Sequence, residues 1–207
     1  MPALACAALM ACGGAEPPPR AAAAPTVDPA AAFMNDLHPQ RFHSARFELT
    51  IPFPDGRVWK IDDHRTPLLV ATHAPTESTL TLGIWSDPEL MNRQKCEAAA
   101  RTRGLVGDAD FQTVADEVIV GPGPYDTHVT VAALPSEVPH RTASGHIFLF
   151  GGYMRKCLFA HFESHERLGE DEAALSARLA VARLELLGGI RVEAFDAPTL
   201  APRRRAP

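Results

Sequence analysis

Nowhere in the 207 residues is there an apolar run of the roughly eighteen needed to cross a bilayer as a helix. No membrane-spanning helix is expected, so any membrane attachment has to come from lipid. Basic residues are not in excess. The formal net charge of −5 argues against nucleic acid as the main partner. No internal repeat is visible. No serine sits in a G-x-S-x-G elbow. Gly121-Pro122-Gly123-Pro124 lacks the Lys-Ser/Thr ending of a phosphate loop, and its prolines remove amide donors such a loop needs. It reads as a turn. Cysteine is scarce, limited to Cys6, Cys12, Cys96 and Cys157.

Every residue from Met1 to Cys12 is apolar, and Leu9-Met10-Ala11-Cys12 places a small residue before a cysteine. This resembles the lipobox of bacterial lipoproteins, where the signal peptide is cut and the new N-terminal cysteine is acylated. Residues 1–11 are then a signal peptide and Cys12 the lipidation site. A small residue is commoner where Met10 stands, and no Lys or Arg precedes Cys12. A start assigned too far downstream accounts for that gap and for the short apolar run. The alternative is an Ala-rich, unstructured N-terminus. Residues 12–42 read as a lipidated cysteine followed by a tether. Over 13–32, Ala and Pro make up thirteen of twenty residues, too little apolar bulk for a core. Fully extended, that stretch reaches about 60 Å at ~3.1 Å per residue. Residues 196–207 form a second Pro/Ala tail carrying Arg203-Arg204-Arg205, able to touch anionic headgroups or simply to lie in solvent.

Between the tails, residues 43–195 suit one domain. Cys6 leaves with the signal peptide and Cys12 is acylated. Cys96 and Cys157 then remain as an even pair in an oxidising compartment. A disulfide between them would contribute about 4 kcal/mol on the chain-entropy account. The alternative is two buried free thiols.

Alternation of Phe47, Leu49 and Ile51 with polar residues predicts a strand, broken by Pro52-Phe53-Pro54-Asp55-Gly56. Further strands are predicted over 58–62, 67–72 and 79–85. Short connections favour antiparallel pairing. A helix follows, capped by Ser86 or Asp87, with Pro88 in its first turn, ending at Arg103 before Gly104. Its small face carries Cys96, Ala99 and Ala100. Strands over 114–120 and 126–133 come next, the second with Val129, Val131 and Ala133 inward. A hairpin over 146–150 and 153–162 is expected to turn at Gly151-Gly152. Its second strand is apolar on both faces, so it is central and covered on both sides. Cys157 and Phe159 share the face expected to meet Cys96. A final helix over 170–187 carries the stripe Leu175, Leu179, Ala182 and Leu186, with Glu172, Ser176 and Arg183 opposite. Gly188-Gly189 ends it, and 190–195 offer a last short strand. The fold class is α+β: a mostly antiparallel sheet of about six to eight strands with two main helices.

This element order, with the opening Phe47-x-Leu49-x-Ile51-Pro52 and Trp59 soon after, resembles the PsbP-like domain over residues 45–187. The resemblance implies an antiparallel sheet flanked by helices. It implies accessory and assembly roles rather than a reaction, since that family shares no catalytic residues.

Candidate chemistry centres on histidine. His161, Glu163 and His165 alternate, and on a continued strand they would share a face at about 6.6 Å spacing, close enough for two to meet one ion. Against this, His161 sits near the core and Glu163 onward reads as loop, so no metal and no cofactor are expected. Asp62-Asp63-His64 offers carboxylates and imidazole, or simply a turn. Trp59, Trp85, Tyr125 and Tyr153 read as core or rim residues. The expected role is non-enzymatic. It is that of a lipoprotein of the bacterial cell envelope, anchored in the outer membrane and facing the periplasm, binding an envelope protein partner. The rival is an envelope hydrolase or metal-dependent enzyme, favoured if three of His64, His128, His146, His161 and His165 converge in a cleft.

Overall fold

A computed structural model of the chain describes Phe33 and residues 39–64, 67–107, 109–135, 143–167, 170 and 172–193. The expected signal peptide (residues 1–11), Cys12, nearly all of the expected tether and the Arg203-Arg204-Arg205 tail lie outside the described residues. Leu80 and Leu82 alternate with Thr79 and Thr81 in β5 (Ser78–Ser86), so one face is buried and the other half-covered. The same period runs through β9 (Lys156–His165). There Leu158, Ala160 and Phe162 face one way, and Cys157 and Phe159 the other. β9 lies at the centre of a seven-stranded antiparallel sheet. It is flanked by β5 and β8 (Ser144–Tyr153). Beyond β5 come β4 (Leu69–His73) and β3 (Lys60–Asp62). Beyond β8 come β7 (Asp126–Leu134) and the edge strand β6 (Gln112–Val120). The fold is α+β, as its element order indicates.

The Phe47–Ile51 segment does not join this sheet. β2 (Leu49–Phe53) pairs with β1 (Gln40–Ser44) and β10 (Arg191–Val192) in a separate three-stranded sheet. Leu49, Ile51 and Phe53 drive that small sheet face-on into the main core. Each such side chain, fully buried, contributes about 1.5–3 kcal/mol. The second cover on this face is α2 (Glu172–Val181), which widens into a π-helical segment, Ala182–Leu187, as Gly188 N–H donates to Arg183 C=O at 3.0 Å. The stripe expected for this helix packs inward through Leu175, Ala182 and Leu186, joined by Leu187. The fold also starts earlier than the boundary expected at residue 43. β1 begins at Gln40, and Phe33 is fully buried against Trp59, His73 and Phe162. One phenylalanine in an Ala/Pro-rich stretch carries no periodic signal, so burial alone identifies it.

The opposite face is covered at one end by α1 (Arg93–Thr102). Its start is later than expected. Asn92, not Ser86 or Asp87, is the cap, accepting from Lys95 N–H at 2.9 Å. Asp87 and Met91 instead donate their amides to Arg155 and Met154 carbonyls, tying 87–91 to the β8–β9 turn. Gly104, at φ +71°, ends the helix as expected, with Leu105 N–H reaching back to Ala100 C=O. Cys96 and Cys157, both fully buried, form a disulfide with Cα atoms 5.2 Å apart. That bond ties α1 to the central strand.

Gly151 and Gly152 are not the hairpin turn. They lie within β8, and the chain reverses at Met154-Arg155, with Met154 at φ +52°. A Cβ on Gly152 would lie 2.3 Å from Asn92 Cα, so this glycine makes room for the N-terminus of α1. Along β7, Val129 is buried as expected and Val131 and Ala133 are half-buried. Ala132, expected outward, is buried beside His146 because the α1 face is covered too. Among the described residues no helix is long and apolar enough to cross a membrane.

Candidate functional site

Followed along β9, the α1-facing residues change character. Cys157 and Phe159 lie under the helix, and then come His161, Glu163 and His165. The strand does not end at Phe162 as expected. It continues to His165, held by pairing of Ser78 and Thr79 with Ser164 and Glu163, and of Ser144 with His165. The three residues therefore share a face in fact.

Antiparallel register then adds a residue that spacing along one strand could not show. His146 of β8 stands directly opposite Glu163, and Phe148 opposite His161. Diagonal neighbours across such a pair lie within reach of aromatic side chains. His146 Nδ1 and His161 Nε2 are 3.0 Å apart, and their rings are nearly parallel. One ligand atom from each of His146, His161 and Glu163 falls within 4.8 Å of the others. His165 meets Glu163 Oε1 at 3.1 Å.

Two aromatic rings wall the cluster. Phe148 stacks on His161 with centroids 4.4 Å apart, and Phe111 and His146 meet in a T-shaped pair with centroids 4.8 Å apart. Removal from water disfavours the charged imidazolium. Burial, with the neighbouring His146 adding to it, pushes His161 down to about 4. Burial also lowers His146, with His165 in the same direction and Glu163 opposing. Ser144 Oγ lies 2.8 Å from His146 Nε2. With that nitrogen protonated and donating to the hydroxyl, Nδ1 keeps a lone pair directed at the cluster.

The other two candidate histidines, His64 and His128, lie elsewhere. His128 is paired with Asp116 and faces Glu97 at 3.6 Å. His64 is exposed in a turn where its N–H donates to Asp62 Oδ1, while Asp63 is buried against Arg46. Asp62-Asp63-His64 is thus a structural turn. Of the aromatic candidates, Trp59 and Tyr125 are buried in the core; Trp85 and Tyr153 are half-buried. So three histidines gather round Glu163, but on a sheet face rather than in a cleft. A shallow depression of about 230 Å³ adjoins them behind Phe111 and Phe148. That is below the ~300 Å³ at which small-molecule pockets begin.

A second polar cluster gave no sequence signal. His73 Nδ1 lies 2.7 Å from Thr76 Oγ1, and its Nε2 3.3 Å from Asp55 Oδ2. The order acid–imidazole–hydroxyl is that of a nucleophilic triad. Thr76 and His73 are wholly buried, however, with Phe33 against the imidazole. The hydroxyl meets Ser78, which bonds Ser164, which accepts from the fully buried Arg178. Arg178 also donates to Glu170 Oε2 and to the His165 carbonyl, each at 2.8 Å. This is a buried hydrogen-bonded chain that fixes α2 and the 74–76 turn to the end of β9.

No protein-family model matches the chain, and no curated protein sequence does. Among solved structures it is similar to a crystallised protein of Bacteroides thetaiotaomicron VPI-5482. The TM-score is 0.42 at 12% identity, covering 75% of this chain and 49% of that one. The chain thus spans about half the length of that protein. It is also similar to the solution structure of cyanobacterial PsbP (CyanoP) from Synechocystis sp. PCC 6803. There the TM-score is 0.49 at 10% identity, over 74% of this chain and 91% of that one.

Proposed function

We propose that the chain is a lipid-anchored protein of the bacterial envelope whose folded domain binds a protein partner there. The observation that carries this reading is the Cys96–Cys157 disulfide. It is buried in the core between α1 and the central strand, which suits a chain that matures in an oxidising compartment. The lipobox-like Leu9-Met10-Ala11-Cys12 and the Ala/Pro-rich stretch after it supply the anchor and reach. A tether of that kind keeps a domain at high effective concentration for partners near the membrane. The nine-residue edge strand β6 supports binding, with Val114 and Val118 both mostly exposed.

The test is detergent partitioning and fatty-acid labelling in a bacterial host. The wild-type chain enters the detergent phase and takes up labelled palmitate, and Cys12→Ala does neither. Equal partitioning of the two, or no label on the wild type, rejects the anchor. The rival, a metal-dependent hydrolase, is favoured by one observation: His146, His161 and His165 gather round Glu163. Ester or phosphoester hydrolysis by the purified chain, lost in Glu163→Gln, would decide for it.

A further inference from the structure

We propose that His146, His161 and Glu163 form a binding site for one divalent transition-metal ion of the zinc type. The inference goes beyond the binding role above and depends neither on the anchor nor on any partner. Four features of the structure carry it. First, the donor atoms are already gathered. One from each residue lies within 4.8 Å of the others, and the two imidazole nitrogens are 3.0 Å apart. Two nitrogens held tetrahedrally by one zinc at its usual bond length are about 3.4 Å apart, so only a small ring movement is needed.

Second, the scaffold is rigid. The ligands come from two adjacent strands in the middle of the sheet, at a register fixed on both sides by β5 and β7. A site on paired strands is placed more accurately than one on loops. Third, the groups behind the ligands are of the kind that orient them. Ser144 holds His146 Nε2, leaving Nδ1 for the ion, and His165 holds one oxygen of Glu163. Such outer partners fix ring tautomer and carboxylate angle in known metal sites. Fourth, Phe111 and Phe148 shield one side of the cluster, and shielding strengthens the attraction between ligands and cation.

The donor set decides the metal class. Two imidazoles and one carboxylate suit zinc or a neighbouring transition ion; calcium and magnesium prefer oxygen throughout. Three protein ligands leave a coordination position for water or for a side chain brought by a partner. The competing account is a hydrogen-bonded histidine pair beside a carboxylate, with no affinity for metal beyond that of scattered surface histidines.

The experiment uses the full chain carrying Cys6→Ser and Cys12→Ser, so that N-terminal thiols cannot ligate. After chelator treatment and its removal, the protein is titrated with cobalt(II), followed by zinc in competition. One equivalent of cobalt is expected to bind, with the visible band of a four- or five-coordinate ion, and zinc is expected to displace it. His146→Ala, His161→Ala and Glu163→Gln should each weaken binding by about tenfold or more. His64→Ala and His128→Ala should leave it unchanged. Glu163 is only half-buried, so Glu163→Gln keeps volume and fold. Zinc should raise the melting temperature of the parent and leave that of Glu163→Gln unmoved. Absence of stoichiometric binding, or equal binding by the parent and the three ligand variants, overturns the proposal.

Discussion

At the scale of single residues, the polar groups inside the core set how the protein responds to its surroundings. His73 is fully buried, and burial lowers its pKa despite the opposing hydrogen bond and charge of Asp55. The unfolded chain therefore takes up this proton first, near the ordinary value of 6.5. Stability from His73 is whole above that pH and is lost as pH falls through 6.5 toward the lower folded value. In His73→Gln the slope of unfolding free energy against pH between about 6.5 and 5 should be shallower, as read by denaturant titration. An unchanged slope would show that His73 does not titrate there. Arg178 is the larger liability. Its guanidinium is fully buried and shared among Glu170, Ser164 and the His165 carbonyl. Arg178→Ala removes the buried guanidinium that joins Glu170, Ser164 and the His165 carbonyl and leaves Glu170 with Arg167 alone, at a cost of about 3–5 kcal/mol. Arg178→Met, with Glu170→Gln beside it, should recover part of that loss, measured in the same titration.

At the scale of elements, fit between neighbours decides where each begins and ends. The α1 helix starts at Arg93 because Asp87 and Met91 give their amides to the β8–β9 turn. Gly152 lies under that start, with no room for a Cβ against Asn92. Gly152→Ala should push α1 off the sheet and cost about 1–3 kcal/mol, read as a fall in melting temperature. Gly104→Ala would be strained by its positive φ alone, with open space where the Cβ would go. The two substitutions thus separate crowding from backbone strain. The sequence marks β5, β7, β9 and the stripe of α2 by period. It misplaces the hairpin turn because Gly-Gly is the commoner turn signal, whereas steric room for a neighbouring helix leaves no trace in local pattern.

For the whole molecule, two covers on one sheet are joined by different means. The three-stranded sheet and α2 hold their face through a wide apolar cluster. The α1 side has a smaller cluster around Cys96, Phe148, Phe150 and Phe159 and is tied by the disulfide. Reduction should therefore loosen α1 in particular. The reduced protein, or Cys96→Ala with Cys157→Ala, is expected to lose up to about 4 kcal/mol of stability. Amide exchange should rise first over 93–102 and later in β5 and β9. Uniform loss of protection would mean that α1 does not depend on the bond for its seat.

The sequence by itself determined the α+β class, antiparallel pairing and the two covered faces of β9, and it offered a bond between Cys96 and Cys157 as one of two readings that the structure then decided. These follow from period, connection length and cysteine count, which are local or additive properties. It also brought out His161, Glu163 and His165, because alternation along one strand is visible in one dimension. Only the tertiary structure added His146 to them, since its place opposite Glu163 depends on register across two strands. The same holds for the separate β1–β2–β10 sheet, the buried Phe33 and the chain from Asp55 through His73 to Arg178. Each joins residues far apart in sequence, and a contact between distant residues is fixed by which faces are buried together, not by the pattern of either segment alone.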